Sequence, residues 1–94
     1  MTEARFSNVW DALEDSSGNA AVMKARSDIV IAIREVVDGW KLTQAEAAER
    51  LGVTQSRMND LLRGRIDKFS LDALMILASS AGLIVEWHVV KPAA

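Results

Sequence analysis

The feature that most restricts the fold is a pair of predicted helix starts close together in the chain. Thr43 and Thr54 each begin a Thr-Gln dipeptide, and threonine is favoured at the N-cap of a helix. Glu46 completes a capping box with Thr43, in which the two side chains satisfy free amides of the first turn. Gly52 lies between the two starts and can adopt the left-handed conformation that ends a helix. The sequence therefore predicts two very short helices joined by a tight turn.

The apolar positions of this segment predict how the two helices pack. One side of each helix is apolar, and the two sides together comprise Ala47, Ala48, Leu51, Met58, Leu61 and Leu62. The small side chain of Ala48 lets the helices approach closely, and Gly64 ends the second helix. Such a pair, at residues 43–63, is typical of a helix-turn-helix, whose second helix presents its outer face to the major groove of DNA. A small helical bundle that uses the same turn without touching DNA is the alternative.

Three further helices are expected around this pair. Residues 1–18 form an amphipathic arm that runs into a breaker at residues 16–19, and its apolar face comprises Phe6, Val9, Trp10 and Leu13. A main core helix covers about residues 19–39, and its apolar stripe comprises Val22, Ile29, Ile33, Val36 and Trp40. The stripe is widened by Ala25, Val30, Ala32 and Val37. Ile31 falls opposite this stripe and should be exposed. Residues 71–81 form a last helix that is apolar almost all round and needs cover on more than one side.

Residues 83–90 are expected to form one β-strand. They are rich in β-branched and aromatic residues, with apolar side chains at alternate positions, namely Leu83, Val85, Trp87 and Val89. Nothing else in the sequence predicts a neighbouring strand, yet unpaired strand amides and carbonyls need partners. We therefore expect these four residues to form a dimer interface in which the strand pairs with its own copy. The predicted fold class is mainly α, with about five helices in one domain over residues 1–94 and a C-terminal strand that pairs across a homodimer.

The composition argues against several kinds of site. The chain has no cysteine and only one histidine, His88, so it lacks a disulfide framework and the usual ligands of zinc. We expect no cofactor and no metal. We also expect no enzymatic activity, because the sequence has no glycine-rich phosphate loop, no elbow-like serine and no paired histidines.

The distribution of charge favours a nucleic-acid partner over a membrane. The net charge is −2, but residues 40–70 carry six basic and four acidic side chains, a balance of +2, whereas residues 1–15 carry −3. The longest uncharged stretch, residues 73–85, is 13 residues long, and a bilayer span needs roughly 18 to 20. The first residues are polar and do not resemble a signal peptide. A cytoplasmic protein without a membrane partner is therefore expected.

The outward side of the second short helix carries the candidate DNA contacts. Base readout is assigned to Gln55, Ser56, Arg57 and Asp60. Gln55 suits adenine, and Arg57 suits either guanine or a phosphate. Asp60 suits a cytosine amino group or the orientation of Arg57 or Arg63. Phosphate contacts are assigned to Gln44, Thr54, Asn59, Arg63, Arg65 and Lys68, the last three of which are alternatively solvated loop charges.

These residues also carry a resemblance to a known family. The segment "LTQAEAAERLGVTQSRMNDLLRGRIDKFSLDALMILA" resembles the XRE (Cro/CI-type) helix-turn-helix. With "NVWDAL", "KARSDIVIAI" and "GLIVEWHVV", the chain is similar to the HigA-like antitoxins. The resemblance implies a λ-repressor-like domain that dimerises on an inverted-repeat operator in double-stranded DNA and represses its own operon. It also implies that the protein neutralises a RelE/HigB-type toxin, an enzyme that cleaves mRNA.

Two alternatives to an antitoxin stay open. One is a stand-alone XRE-type transcriptional regulator without a toxin partner. The other is a protein-interaction module, for which Phe6, Trp10 and Ile31 are the possible partner contacts. The acidic arm suits a basic toxin surface, although Phe6 and Trp10 alternatively close the domain's own core.

Overall fold

Four α-helices and one short 3-10 helix make up the regular structure that the computed structural model describes, which comprises residues 17–86 and 88–92. They are α1 (Ser17–Trp40), α2 (Gln44–Leu51), α3 (Gln55–Leu62), the 3-10 helix (Ile66–Lys68) and α4 (Leu71–Ser80). These bounds confirm four predicted helices. The fifth, in the N-terminal arm, lies outside the described residues. None of the described helices is long and apolar enough to cross a membrane.

The core lies between α1 and the other helices, and α1 packs most extensively on α4. The buried face of α1 comprises Ile29, Val30, Ile33 and Val37. The predicted apolar side is thus right for all four of these residues, whereas Val22 is exposed and Val36 and Trp40 are only half-buried. Ile31 is 51% exposed, as its position opposite the stripe predicted.

The predicted breaker at residues 16–19 is wrong within the described part of the chain, because α1 begins at Ser17 and includes Gly18 and Asn19. The first amides of a helix have no partner four residues earlier in any case. Serine and glycine keep their backbone N–H groups, so they lower the helix propensity of this turn without removing a hydrogen bond.

Hydrogen bonds at both short-helix starts confirm the predicted caps. The Thr43 hydroxyl accepts from the Glu46 amide at 3.2 Å, and the Glu46 carboxylate accepts from the Thr43 amide at 2.9 Å. Hydrogen bonding to this amide, and secondarily to the Thr43 side chain, holds the pKa of the Glu46 carboxyl below its ordinary value of 4.5. The Thr54 hydroxyl accepts from the Arg57 amide at 3.1 Å. Gly52 ends α2 in the left-handed conformation, with φ 76°.

The inward faces of α2 and α3 lie where the apolar pattern predicted them. Ala47, Ala48 and Leu51 of α2 are buried, as are Met58 and Leu61 of α3. The remaining predicted member of this set, Leu62, is half-buried at the edge of the core. Since Met58 and Leu61 hold α3 from behind, the opposite face of this helix points to solvent.

Helix α4 is capped by Ser70, whose hydroxyl accepts from the Ala73 amide at 3.1 Å. Leu74, Leu77 and Ala78 are buried in the core. Ile76, on another side of the same helix, is 68% exposed. The single chain thus covers only part of this helix, which was predicted to need cover on more than one side.

The predicted strand is not formed in the single chain. Residues 83–86 and 88–92 have no strand structure, because a strand is defined by hydrogen bonds to a neighbour and the rest of the described chain offers none. Leu83 and Val85 instead pack against the domain's own core. The intervening Ile84 is 86% exposed. Half-buried and exposed side chains therefore still alternate along residues 83–85, as they would in a strand.

Of the four residues predicted at a dimer interface, Leu83 and Val85 are half-buried within one chain. Val89 is 97% exposed. Trp87 lies outside the described residues. Leu83 and Val85 thus already have apolar contacts within their own chain, and a dimer interface at these four residues stays a prediction.

Candidate nucleic-acid interface

The solvent-facing side of α3 is the candidate interface. Gln55, Ser56 and Arg63 are exposed, and Asn59 and Asp60 are half-buried. The positions 56, 59, 60 and 63 follow the helical repeat that places residues on one face, opposite the buried Met58 and Leu61. The structure thus places four of the ten predicted DNA contacts on one face of α3, the polar ridge, which comprises Ser56, Asn59, Asp60 and Arg63.

Gln44 connects the N-terminal ends of α2 and α3. Its side-chain amide donates from Nε2 to the backbone carbonyl of Gln55 at 3.4 Å. Gln44, Thr54 and Gln55 therefore lie at one end of the helix pair, where free helix amides and the positive end of the helix dipole favour an anion. This arrangement is consistent with the predicted phosphate contacts of Gln44 and Thr54.

Asp60 contacts the loop that follows α3. Its carboxylate is 3.5 Å from Nη1 of Arg65, and its backbone carbonyl accepts from the Arg65 amide at 3.0 Å. The Asp60 side chain is 18% exposed, against 45% for Arg65. Asp60 thus contacts Arg65 of the loop, and not Arg57 or Arg63, the two arginines that it was predicted to orient.

Arg57 lies on the side of α3 that faces the segment before α4. Its guanidinium donates from Nη1 to the carbonyl of Lys68 at 2.8 Å. The guanidinium carbon also lies 4.1 Å from the centroid of the Phe69 ring. One N–H of the Arg57 guanidinium and one face of its plane are therefore used within the domain, and both predicted roles, contact with guanine or with a phosphate, stay predictions.

Three exposed cations follow α3 in the chain. Arg63 caps the C-terminal end of the helix, Gly64 turns the chain with φ 71°, and Arg65 and Lys68 lie at either end of the 3-10 helix. All three cationic residues are exposed. They form a basic border beside the polar ridge of α3, as expected for phosphate contacts.

Ile31, predicted as a possible partner contact, lies at an open groove of about 440 Å³ between α1, the start of α2 and the end of α3. The groove is lined by Ile31, Arg34, Glu35, Val37, Asp38, Leu42, Gln44, Ala47 and Leu62. The other two predicted contacts, Phe6 and Trp10, lie outside the described residues. Within residues 17–86 and 88–92, no three carboxylate or imidazole side chains are grouped so that they could hold a metal.

Phe69 was not among the predicted functional residues, yet it is 2% exposed and supports the Arg57 guanidinium. A signal was available, because Phe69 directly precedes the N-cap Ser70, and Leu74 follows at the fourth helical position. An apolar residue before a cap often packs on the residue at that position, the pattern called a hydrophobic staple. Both residues are buried in one core cluster.

Comparison with known proteins agrees with this geometry. Residues 12–90 match the protein family described as "Helix-turn-helix domain". A solved structure named as an XRE family transcriptional regulator has a TM-score of 0.72 and 30% sequence identity, over 79% of this chain and 83% of that chain. No curated protein matches the chain. The XRE resemblance is confirmed, whereas the HigA-like subtype stays a prediction. The chain therefore belongs to the helix-turn-helix domain family and shares its fold with an XRE family regulator.

Proposed function

We propose that the protein is a sequence-specific DNA-binding transcriptional repressor that inserts α3 into the major groove. The observation that carries this proposal is the placement of α3, which is held from behind by Met58 and Leu61 and presents a polar ridge bordered by exposed cations. A helix held in this way can enter the groove without rearranging the domain. The matched family and the XRE regulator of similar structure support this assignment.

Gln55 and Ser56 are the proposed base readers. Both are exposed at the first turn of α3, and glutamine can bind adenine through two hydrogen bonds. Gln44, Thr54 and Asn59 are proposed to contact phosphates beside them. Arg63, Arg65 and Lys68 are proposed to contact phosphates along the basic border. Arg57 and Asp60 are given structural roles instead, because their charged groups already have partners within the domain.

The active species is proposed to be a homodimer in which residues 83–90 pair across a two-fold axis. Ile84, Val89 and Val90 are all at least 80% exposed in the single chain, and Ile76 of α4 is exposed as well. Pairing would satisfy the backbone of this segment and cover apolar surface. Two copies of α3 would then read an inverted repeat with half-sites roughly 34 Å apart.

The proposed biological role is that of the antitoxin in a type II toxin-antitoxin pair that represses its own operon and neutralises a RelE/HigB-type toxin. The HigA-like sequence resemblance and the acidic residues 1–15 support it, because an enzyme that cleaves RNA presents a basic surface. A stand-alone XRE-type regulator is the alternative, and the XRE regulator of similar structure favours it. A protein-interaction module is the third candidate, which the groove at Ile31 favours.

The DNA-binding proposal is tested by selecting bound sequences from a random DNA pool and then measuring affinity for the selected site. Gln55→Ala should weaken that binding by about 1 to 3 kcal/mol and relax the preference at one base pair in each half-site. Ser79→Ala, an exposed change on α4 away from α3, is the matched control and should bind as the unchanged protein does. Failure to enrich any sequence, or equal binding by Gln55→Ala, would contradict the proposal.

The antitoxin and the stand-alone regulator are separated by a partner test. The gene is expressed together with each adjacent small reading frame, one of which carries an affinity tag. Recovery of a stoichiometric complex that suppresses RNA cleavage by the tagged protein supports the antitoxin. If no neighbour forms a complex while specific DNA binding persists, the protein is a stand-alone regulator.

A further inference from the structure

Helix α3 holds the loop that follows it at two points. Arg57 donates to the carbonyl of Lys68 at 2.8 Å, and Asp60 lies 3.5 Å from the Arg65 guanidinium. Arg57 and Asp60 are three positions apart in α3, so both contacts originate on neighbouring turns of one helix. The path of the loop therefore depends directly on the position of the helix that is proposed to enter the groove.

The contact made by Arg57 depends on a buried aromatic ring. Phe69 is 2% exposed, so the ring is held in place by the core. The guanidinium of Arg57 lies over this ring at 4.1 Å and directs one N–H to the Lys68 carbonyl. A planar guanidinium can stack on a ring and donate in its own plane at the same time, whereas the compact ammonium group of lysine cannot reproduce this geometry.

We infer that Arg57 is a positioning residue for DNA binding, and that it sets the phosphate contact of Lys68 instead of reading a base. The inference rests on the proposed function. The side chain of Lys68 is exposed, while its carbonyl is the atom that Arg57 holds. Holding that carbonyl fixes the backbone from which the lysine side chain extends. The Lys68 side chain thereby starts from a fixed point beside α3, from which its ammonium group can reach a phosphate next to the base-reading ridge.

An Arg57 side chain that swings into the groove to read a base would leave both of its present partners. That movement would remove the guanidinium from the Phe69 ring and leave the Lys68 carbonyl without this donor. The two roles differ in two measurable properties. A positioning residue affects all DNA sequences alike and acts through Lys68, whereas a base reader changes the preference at one base pair independently of Lys68.

The test compares Arg57→Lys, Lys68→Met and the double variant of the full chain on the selected site and on single-base variants of that site. Affinity is measured over a series of salt concentrations. We expect Arg57→Lys to weaken binding about tenfold on every sequence and to lower the salt slope by about 1, although no charge is removed. Lys68→Met should show the same loss, and the double variant should be no weaker than Lys68→Met alone.

Two further variants distinguish a specific effect on DNA binding from a general loss of folding. Phe69→Leu keeps an apolar side chain in the core but removes the ring, and it should reproduce the loss and the lower salt slope of Arg57→Lys. Arg50→Lys is the matched control, because Arg50 stacks on Trp40 at 4.2 Å but lies at the opposite end of α2 from Gln44. It should leave both affinity and salt slope unchanged. Circular dichroism checks that each variant is folded.

The outcomes separate this inference from the proposed function. If the unchanged protein enriches no DNA sequence, the proposed function is overturned and this inference with it. If it binds specifically but Arg57→Lys alters the preference at one base pair, or if its loss adds to that of Lys68→Met, Arg57 is a base reader and only the inference is wrong.

Discussion

The helix pair at residues 43–64 and the segment at residues 83–92 satisfy their backbone groups in different ways. In the helix pair, Thr43, Thr54 and Gly52 supply the caps and the turn from within the pair itself. In the C-terminal segment, the described residues 83–86 and 88–92 form no strand, and Ile84 and Val89 point their apolar side chains to solvent. A helix completes its hydrogen bonds locally, whereas a strand needs a neighbour. The contrast explains why the described residues contain the predicted helix pair but not the predicted strand.

The two regions should differ most in how their free energy of unfolding responds when one large apolar side chain is shortened in each. Leu61→Ala in α3 should lower the free energy of unfolding by about 2 to 5 kcal/mol, because Leu61 is 1% exposed. Ile84→Ala should change it by less than about 0.5 kcal/mol at concentrations where the protein is monomeric. Urea denaturation followed by circular dichroism measures both.

The variant Ile84→Ala also tests the proposed dimer. If residues 83–90 pair between copies, Ile84→Ala should weaken self-association in sedimentation experiments, while its effect on the monomer stays small. If Ile84→Ala leaves an observed dimer unchanged, the proposed pairing of this segment is contradicted.

A smaller effect is expected from the turn between α2 and α3. Gly52→Ala should cost about 1 to 2 kcal/mol, because alanine is disfavoured at the positive φ of 76°. Gly39→Ala is the matched control, since Gly39 lies within α1 and an added Cβ meets nothing within 4 Å. It should stabilise the protein by about 0.5 to 1 kcal/mol. Equal effects in thermal unfolding would mean that the left-handed turn does not restrict the helix pair.

The smallest effect concerns the first cap and its pH dependence. The pKa of Glu46 is lowered in the folded state, so its contribution to stability is present above the ordinary pKa of 4.5 and is lost as the pH falls through the lowered value. Glu46→Gln keeps a capping-box side chain without a titrating group. Its stability should fall less steeply in acid than that of the unchanged protein. Parallel acid titrations of the melting temperature would contradict this assignment.

The sequence was informative about the candidate interface because the helical repeat separates inward from outward positions on α3. Burial of Met58 and Leu61 leaves Ser56 and Arg63 on the outer face, as predicted. The partners of individual charged groups were not predictable in this way. Arg57 stands at the edge of the buried face, and only the position of Phe69, twelve residues later, draws its guanidinium towards the core. Asp60 similarly binds Arg65, one of several nearby cations.

By itself, the sequence determined the helix pair, its caps and its buried face, since these follow from the conformational preferences of single residues and from a repeat of 3.6 residues per turn. Only the tertiary structure decided that Arg57 and Asp60 hold the following loop and that Leu83 and Val85 pack on their own core. These outcomes depend on which groups come within a few ångströms of one another after folding. Local pattern does not contain that information, because the partners are distant in the chain or, for a strand, can belong to another molecule.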